Sequence, residues 1–479
     1  MKNLLLLSIL AGLALCCAAD ELPELGDSSQ QAMSPQQERA LGESIMLQIR
    51  ADKDYVDDPE ISDYLAEIGN RLVAVTVDAR QPFEFFAVAD PSINAFALPG
   101  GFVGVHSGLM LMAQTESELA SVLAHEVSHV TQRHLARMIA AQQRAGIASM
   151  AALAIAILAA RSNSDASAAA IAAAQAGAIQ SQLNFTREHE READRIGLQT
   201  LEKSGFDVHA MPTFFERLQK STRVYDTNAP SYLRTHPLTF ERIADIQNRV
   251  DKTPFRLVPD SLDFHLVRAK LKAMDGRPRD AVDYFETIFR EKRYSSEAAA
   301  RYGLALSQLR AGNLAQAKIE GNALANLPDR HPMIDALLAD IRSQSGDAKG
   351  ALALYESSLR KYPGKRALVA GYATALLTSG RPLDAAEFLR VKIENGMGDA
   401  RNYELQARSY AAAGKRLAQH HALAEALVLK GNLSAAVEQL QLAVASKDGD
   451  FYQRSIVESR LRELRARDQE EKKKAKQQQ

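Results

Sequence analysis

Six glycines, Gly276, Gly312, Gly346, Gly380, Gly414 and Gly431, punctuate the second half of the chain, the first five at intervals of 36, 34, 34 and 34 residues. Five positions after the first four stand Ala281, Ala317, Ala351 and Ala385, and Gly431 is followed at the same offset by Ala436. Pro328 and Pro363 fall 16 and 17 residues after their glycines. A glycine at a turn takes backbone angles that other residues resist, and a small alanine at a fixed offset lets two helices approach closely. One such unit cannot bury its apolar face alone, so a chain with this period must stack its units side by side. The last interval is 17, and Gln419 stands in the alanine position after Gly414, so the array ends irregularly.

A 34-residue period of this kind is the tetratricopeptide signature, and it predicts an α-solenoid over residues 260–465. Composition agrees: there is no Trp, aromatic residues are 6%, and Ala is plentiful, which favours helices over a β-sandwich. A length of 479 residues leaves room for at least one further unit. The net charge of −1, from 58 basic and 59 acidic residues, gives no global field to recruit nucleic acid, and none is expected as a partner. The exception is local: Lys472, Lys473, Lys474 and Lys476 lie in a polar basic tail, 466–479, read as a solvated helix end.

The chain opens with Lys2, an apolar run from Leu4 to Leu15, and small residues to Ala19. This predicts a secretory signal peptide over 1–19 and a flexible polar leader over 20–33, hence export to a Gram-negative periplasm. A lipoprotein anchor on Cys16 or Cys17 is the weaker reading, because Leu15 and Cys16 stand where a small residue is expected. Cleavage after Ala19 would remove both cysteines and leave a chain that needs no disulfide. Residues 145–160 are apolar between Arg144 and Arg161, but a membrane span needs about 20 residues. They read as a buried helix or helical hairpin turning at Ser162–Ser167, with contact to membrane or client as the alternative; no transmembrane span is expected in the mature chain.

Residues 34–255 read as an α+β domain. Ser34-Pro35 and Asp58-Pro59 open helices, while 83–88, 95–98 and 102–105 read as short strands around the Pro99-Gly100-Gly101 turn. A helical pattern then runs from Glu116 to Ala141 as one amphipathic helix. It contains His125-Glu126-Val127-Ser128-His129, an H-E-x-x-H pentad. Four residues bring both imidazoles to one helix face, where they can share an ion, and Glu126 beside them can take a proton from a metal-bound water. Zinc usually takes a third protein ligand. His134 lies about 140° round an unbroken helix from His129 and is not expected to supply it. The stretch Arg187-Glu188-His189-Glu190-Arg191-Glu192-Ala193-Asp194 lies downstream, with Glu190 and Asp194 on one face. Spacing alone does not choose among Glu188, His189, Glu190 and Glu192.

H-E-V-S-H at 125–129 with E-R-E-A-D-R-I-G at 190–197 resembles the gluzincin family of the CAAX prenyl protease, HtpX and the mitochondrial OMA-type proteases, which carries HExxH followed by ExxxD. The likeness is strongest to its periplasmic branch of β-barrel assembly-enhancing proteases, a catalytic domain followed by tetratricopeptide repeats. It extends to Asn94-Ala95-Phe96-Ala97 with Gly100-Gly101, and to Thr235-His236-Pro237. The resemblance implies one zinc ion per chain, with His125, His129 and Glu190 as ligands, Glu126 as general base and Asp194 supporting the ligands or donating a proton. His236 is read as a fourth ligand that gates the site, and 94–97 as an edge strand for an extended substrate. The fold class expected is mostly α: an α+β zincin-type domain with a small sheet, followed by the repeat solenoid. The implied function is a zinc metalloendopeptidase with chaperone-like activity toward unfolded or misassembled outer-membrane β-barrel proteins, contacting the barrel-assembly machinery through its repeats. The alternatives are a scaffold with a closed or structural zinc site, and a repeat adaptor in which the pentad is accidental.

Overall fold

The computed structural model describes residues 33–76, 81–141, 187–224 and 231–477. The expected signal peptide, nearly all of the leader, and the apolar run 145–160 with its Ser162–Ser167 turn lie outside the described residues. Helix α1 (Pro35–Ala51) starts at Ser34, whose hydroxyl accepts from the Gln37 N–H while the Gln37 side chain accepts from the Ser34 N–H. Helix α2 (Pro59–Val73) starts at Asp58, which accepts from the N–H groups of Glu60 and Ile61. Three strands follow, β1 (Glu84–Val88), β2 (Ala95–Leu98) and β3 (Phe102–His106), in the order β1-β3-β2. β2 and β3 form an antiparallel hairpin, β1 joins β3 in parallel, and β2 is left as an edge. Ile45, Met46 and Ile49 of α1 pack on Phe86, Phe96, Leu98 and Phe102 of the sheet.

After the short α3 (Ser107–Met112) comes α4 (Glu116–Thr131), which holds the pentad. Here two expectations are corrected. Every residue of α4 from Glu116 to Val130 is buried, so the helix has no solvent face and is enclosed rather than amphipathic. β2 packs on one side of it, and α2, α6 (Arg187–Lys203) and α7 (Ala210–Val224) occupy the rest. Nor does it run on to Ala141. Arg133 adopts φ 52, a left-handed conformation that breaks the helix, and α5 (His134–Ala141) leaves in a new direction. A non-glycine residue there is strained. The Arg133 guanidinium holds it by donating to Glu38, at 2.6 Å, and to the Met33 carbonyl.

Two more helices, α8 (Ser231–Thr235) and α9 (Phe240–Val250), complete the first part. Helices from α10 (Leu262–Met274) through α18 (Ala400–Ala412), α19 (Arg416–Leu429) and α20 (Leu433–Ala445) to α21 (Phe451–Gln477) then form the repeat array. All six turn glycines have positive φ, and Ala281, Ala317, Ala351, Ala385 and Ala436 are buried where their helices meet. The irregular end has a simple form: Gly414 and Gly431 both make tight turns, flanking the single helix α19. The stretch from 466 is the end of α21, which continues through it to Gln477. No described helix is long and apolar enough to cross a membrane.

The array is fused to the first part. One apolar cluster runs from Ile61 of α2 through Leu123 of α4 to Phe285, Tyr302 and Ile341 of the repeats. Lys270 on α10 lies 2.5 Å from both Asp58 and Glu60, Arg366 pairs with Asp63 at 2.6 Å, and Arg401 pairs with Asp57 at 3.0 Å. The repeats thus curl round the acidic start of α2.

Gly346 has φ 86 and nothing within 4 Å of where a Cβ would stand. Gly346→Ala should therefore cost backbone strain alone, about 1–2 kcal/mol. The expected result is a lower denaturation midpoint with an unchanged helical circular-dichroism spectrum.

Candidate metal centre

The site forms where α6 lies against α4. Gly197 makes this approach possible: a Cβ there would stand 3.2 Å from the His125 backbone. With a glycine, α6 comes close enough to put Glu190 and Asp194 beside the two histidines of the pentad. His125 and His129 face one another with Nε2 atoms 3.0 Å apart. The Glu190 carboxylate faces both, 3.5 Å from each Nε2. His236, just past α8, brings Nδ1 to 2.9 Å from Glu190. One donor atom from each of His125, His129, Glu190 and His236 lies within 4.8 Å of the others, and all four residues are buried.

The donor set suits zinc. Tetrahedral ligands at ordinary zinc distances stand about 3.3 Å apart, and three imidazoles with one carboxylate are within its usual chemistry. The separations among His125, His129 and Glu190, 3.0 to 3.5 Å, bracket that figure. A second sign is that Glu126 Oε1 is buried without a hydrogen bond among the described residues.

Around these atoms the charges are arranged in pairs. Asp194 Oδ1 is 3.0 Å from His125 Nδ1. Arg242 of α9, itself buried, donates two hydrogen bonds to Asp194, Nε at 2.7 Å and Nη2 at 2.8 Å, and its Nη1 lies 2.8 Å from Glu190. Burial pushes the Asp194 pKa up, but Arg242 and His125 outweigh it and hold the group below its ordinary value. Glu190 is held well below its usual range in the same way, burial being overcome by the surrounding histidines. Glu126 is the opposite case: burial dominates and raises its pKa, while His236, His125 and the Ala97 backbone N–H pull it partly back. A carboxylate so poised takes up a proton readily. Burial takes His129 well below the usual imidazole range.

Of the candidates left open by spacing, Glu190 enters the cluster and Glu192 does not. Glu192 binds His134 and Arg137 instead, and the His189 ring stacks on His134 at 4.5 Å. His134 is not among the four clustered residues, but it is not remote either, since the break at Arg133 returns it to 2.9 Å from His129 Nδ1. Of the segment read as an edge, Ala95, Phe96 and Ala97 lie in β2, while Asn94 precedes it. Arg242 and Tyr232, whose ring lies 4.8 Å from that of His236, went unnoticed in the sequence. Neither stands at a spacing that marks it; only the motif at His236 pointed to this segment.

Comparison with known proteins agrees with this picture. Residues 59–250 match Peptidase family M48, and residues 343–409 match the tetratricopeptide repeat. A Vibrio cholerae relative of the β-barrel assembly-enhancing protease type is 37% identical over 87% of each chain. The beta-barrel assembly-enhancing protease of Escherichia coli K12 is 34% identical over 94% of this chain and 92% of its own. The mitochondrial metalloendopeptidase OMA1 of Schizosaccharomyces pombe shares 34% over 38% of this chain and 51% of its own. With a metalloprotease core, a repeat array and relatives that align over most of both chains, this chain belongs to the M48 peptidases, in the branch of the β-barrel assembly-enhancing proteases.

Proposed function

We propose that this chain is a periplasmic zinc endopeptidase that removes stalled or misfolded outer-membrane β-barrel proteins and assists their assembly. The observation that carries the catalytic reading is the convergence of His125, His129 and Glu190 on one point, with the buried Glu126 carboxylate beside it. The barrel clients follow from the names of the relatives that align along nearly the whole chain. The periplasmic setting rests on the signal-like residues 1–19.

In this reading His125, His129 and Glu190 hold the ion, and Asp194 orients the His125 ring. A zinc ion held there would supply Lewis acidity to the scissile carbonyl and the attacking water. Glu126 takes the proton from that water and delivers it to the leaving amine, a transfer helped by its raised pKa. Among the described residues β2 is an edge strand that could take an extended segment, and Ala97 lies near enough to Glu126 to act on its pKa, so a strand added there would lie beside the base. Backbone pairing tolerates many sequences, which suits unfolded clients. The curved array would hold the client or the barrel-assembly machinery close by.

One observation favours a second reading, a chaperone with a closed site. His236 sits inside the cluster, 2.9 Å from Glu190 and 3.5 Å from Glu126, where its imidazole could serve as a fourth ligand in place of a water. We reconcile the two by assigning His236 the role of a gate.

Glu126→Gln should bind one zinc per chain yet lose cleavage of casein or an unfolded barrel protein, assayed beside wild type. Equal slow cleavage by both would leave only the scaffold. His236→Ala should raise basal proteolysis; unchanged or lower activity with zinc still bound would refute the gate. Arg242→Leu leaves Asp194 and Glu190 without their buried counter-charge and should lower stability by about 3–5 kcal/mol in chemical denaturation.

A further inference from the structure

The two histidines of the pentad are supported in different ways. His125 turns its Nδ1 to a carboxylate, Asp194. His129 turns its Nδ1 to another imidazole: His134 Nδ1 lies 2.9 Å away, and His134 Nε2 lies 3.1 Å from Glu192 Oε2. Arg137 donates to that same Glu192 oxygen at 2.8 Å. His134 has no exposed side-chain surface, and the His189 ring covers its face nearly parallel, at 13°.

We propose that His134 is a positioning residue for the metal centre, accepting the Nδ1 proton of His129 and passing the restraint through Glu192 to Arg137. This rests on the zinc reading above. Its logic is a chain of tautomers. For His129 to offer the Nε2 lone pair to an ion, its proton must sit on Nδ1. That N–H needs an acceptor in a buried place, and His134 Nδ1 lies 2.9 Å from it. His134 must then carry its own proton on Nε2, where the Glu192 carboxylate is placed to accept it. Along these two contacts each proton then has one position, since two N–H groups facing across 2.9 Å would repel. The charged Glu192–Arg137 pair therefore fixes which nitrogen of His129 faces Glu190.

The backbone is shaped for this contact. On an unbroken helix His134 would point away from His129. The left-handed Arg133, held to Glu38 and to the Met33 carbonyl of the segment before α1, turns α5 so that His134 faces back. The strain at Arg133 thus has a use, since it makes a third imidazole of one local sequence serve the second.

The test compares full-length wild type with His134→Phe, His134→Asn and Glu192→Ala. Zinc affinity is read by chelator competition, and metal-free melting temperature is read in parallel. Phenylalanine keeps the stack on His189 but accepts no proton, and His134→Phe should lose about 10–100-fold in zinc affinity. Asparagine accepts through its amide oxygen and should recover most of that loss. Glu192→Ala, at a partly exposed position that threatens folding little, should weaken zinc in the same direction with an unchanged metal-free melting temperature. Zinc bound as tightly by His134→Phe and Glu192→Ala as by wild type overturns the relay. Equal losses in the phenylalanine and asparagine variants overturn it as well. A wild-type chain that binds no zinc overturns the centre itself, a distinguishable result.

Discussion

The Arg242 guanidinium, wedged between Asp194 and Glu190 in a space closed to water, is the contact on which the centre depends. Three carboxylates, Glu126, Glu190 and Asp194, are buried within reach of one another, and taking each from water costs several kcal/mol unless it is matched. The arrangement matches these carboxylates with the Arg242 guanidinium and the surrounding imidazoles together. It also explains why Asp194 stays ionised against its own burial, and so can hold an imidazole by its N–H.

Much of the fold was legible from spacing. The 34-residue glycine and alanine pattern located the array because each glycine meets a left-handed turn and each alanine a helix crossing, both local demands. The strands and the caps at Ser34 and Asp58 were readable for the same reason. The enclosure of α4 was not, because it is imposed by α2, α6, α7 and β2, elements far apart in the chain. Nor was the break at Arg133. No glycine or proline marks it, and its warrant is a contact with Glu38, 95 residues earlier.

The candidate site shows the same division. His125 and His129 share a face by helix arithmetic, so the pair was visible at once. Choosing Glu190 over Glu192 depended on which side of α6 meets α4, and that is decided by Gly197 lying on the His125 backbone. Arg242 stands 48 residues beyond Asp194, and no local pattern could join them. The fusion of the repeats with the first part through one apolar cluster was likewise hidden, since a boundary near residues 255–260 looks like a linker when read alone.

The pull of the Ala97 N–H on the Glu126 carboxylate, which partly offsets its burial, has a consequence for timing. In the β2–β3 hairpin the Asn94 carbonyl accepts from the His106 N–H, so the alternation of an antiparallel ladder turns the Ala97 N–H outward. A polypeptide annealing to that rim would compete for the same donor and strip it from the carboxylate. Loss of that pull would raise the Glu126 pKa further, so that filling the rim of β2 and arming the proton acceptor would become a single event.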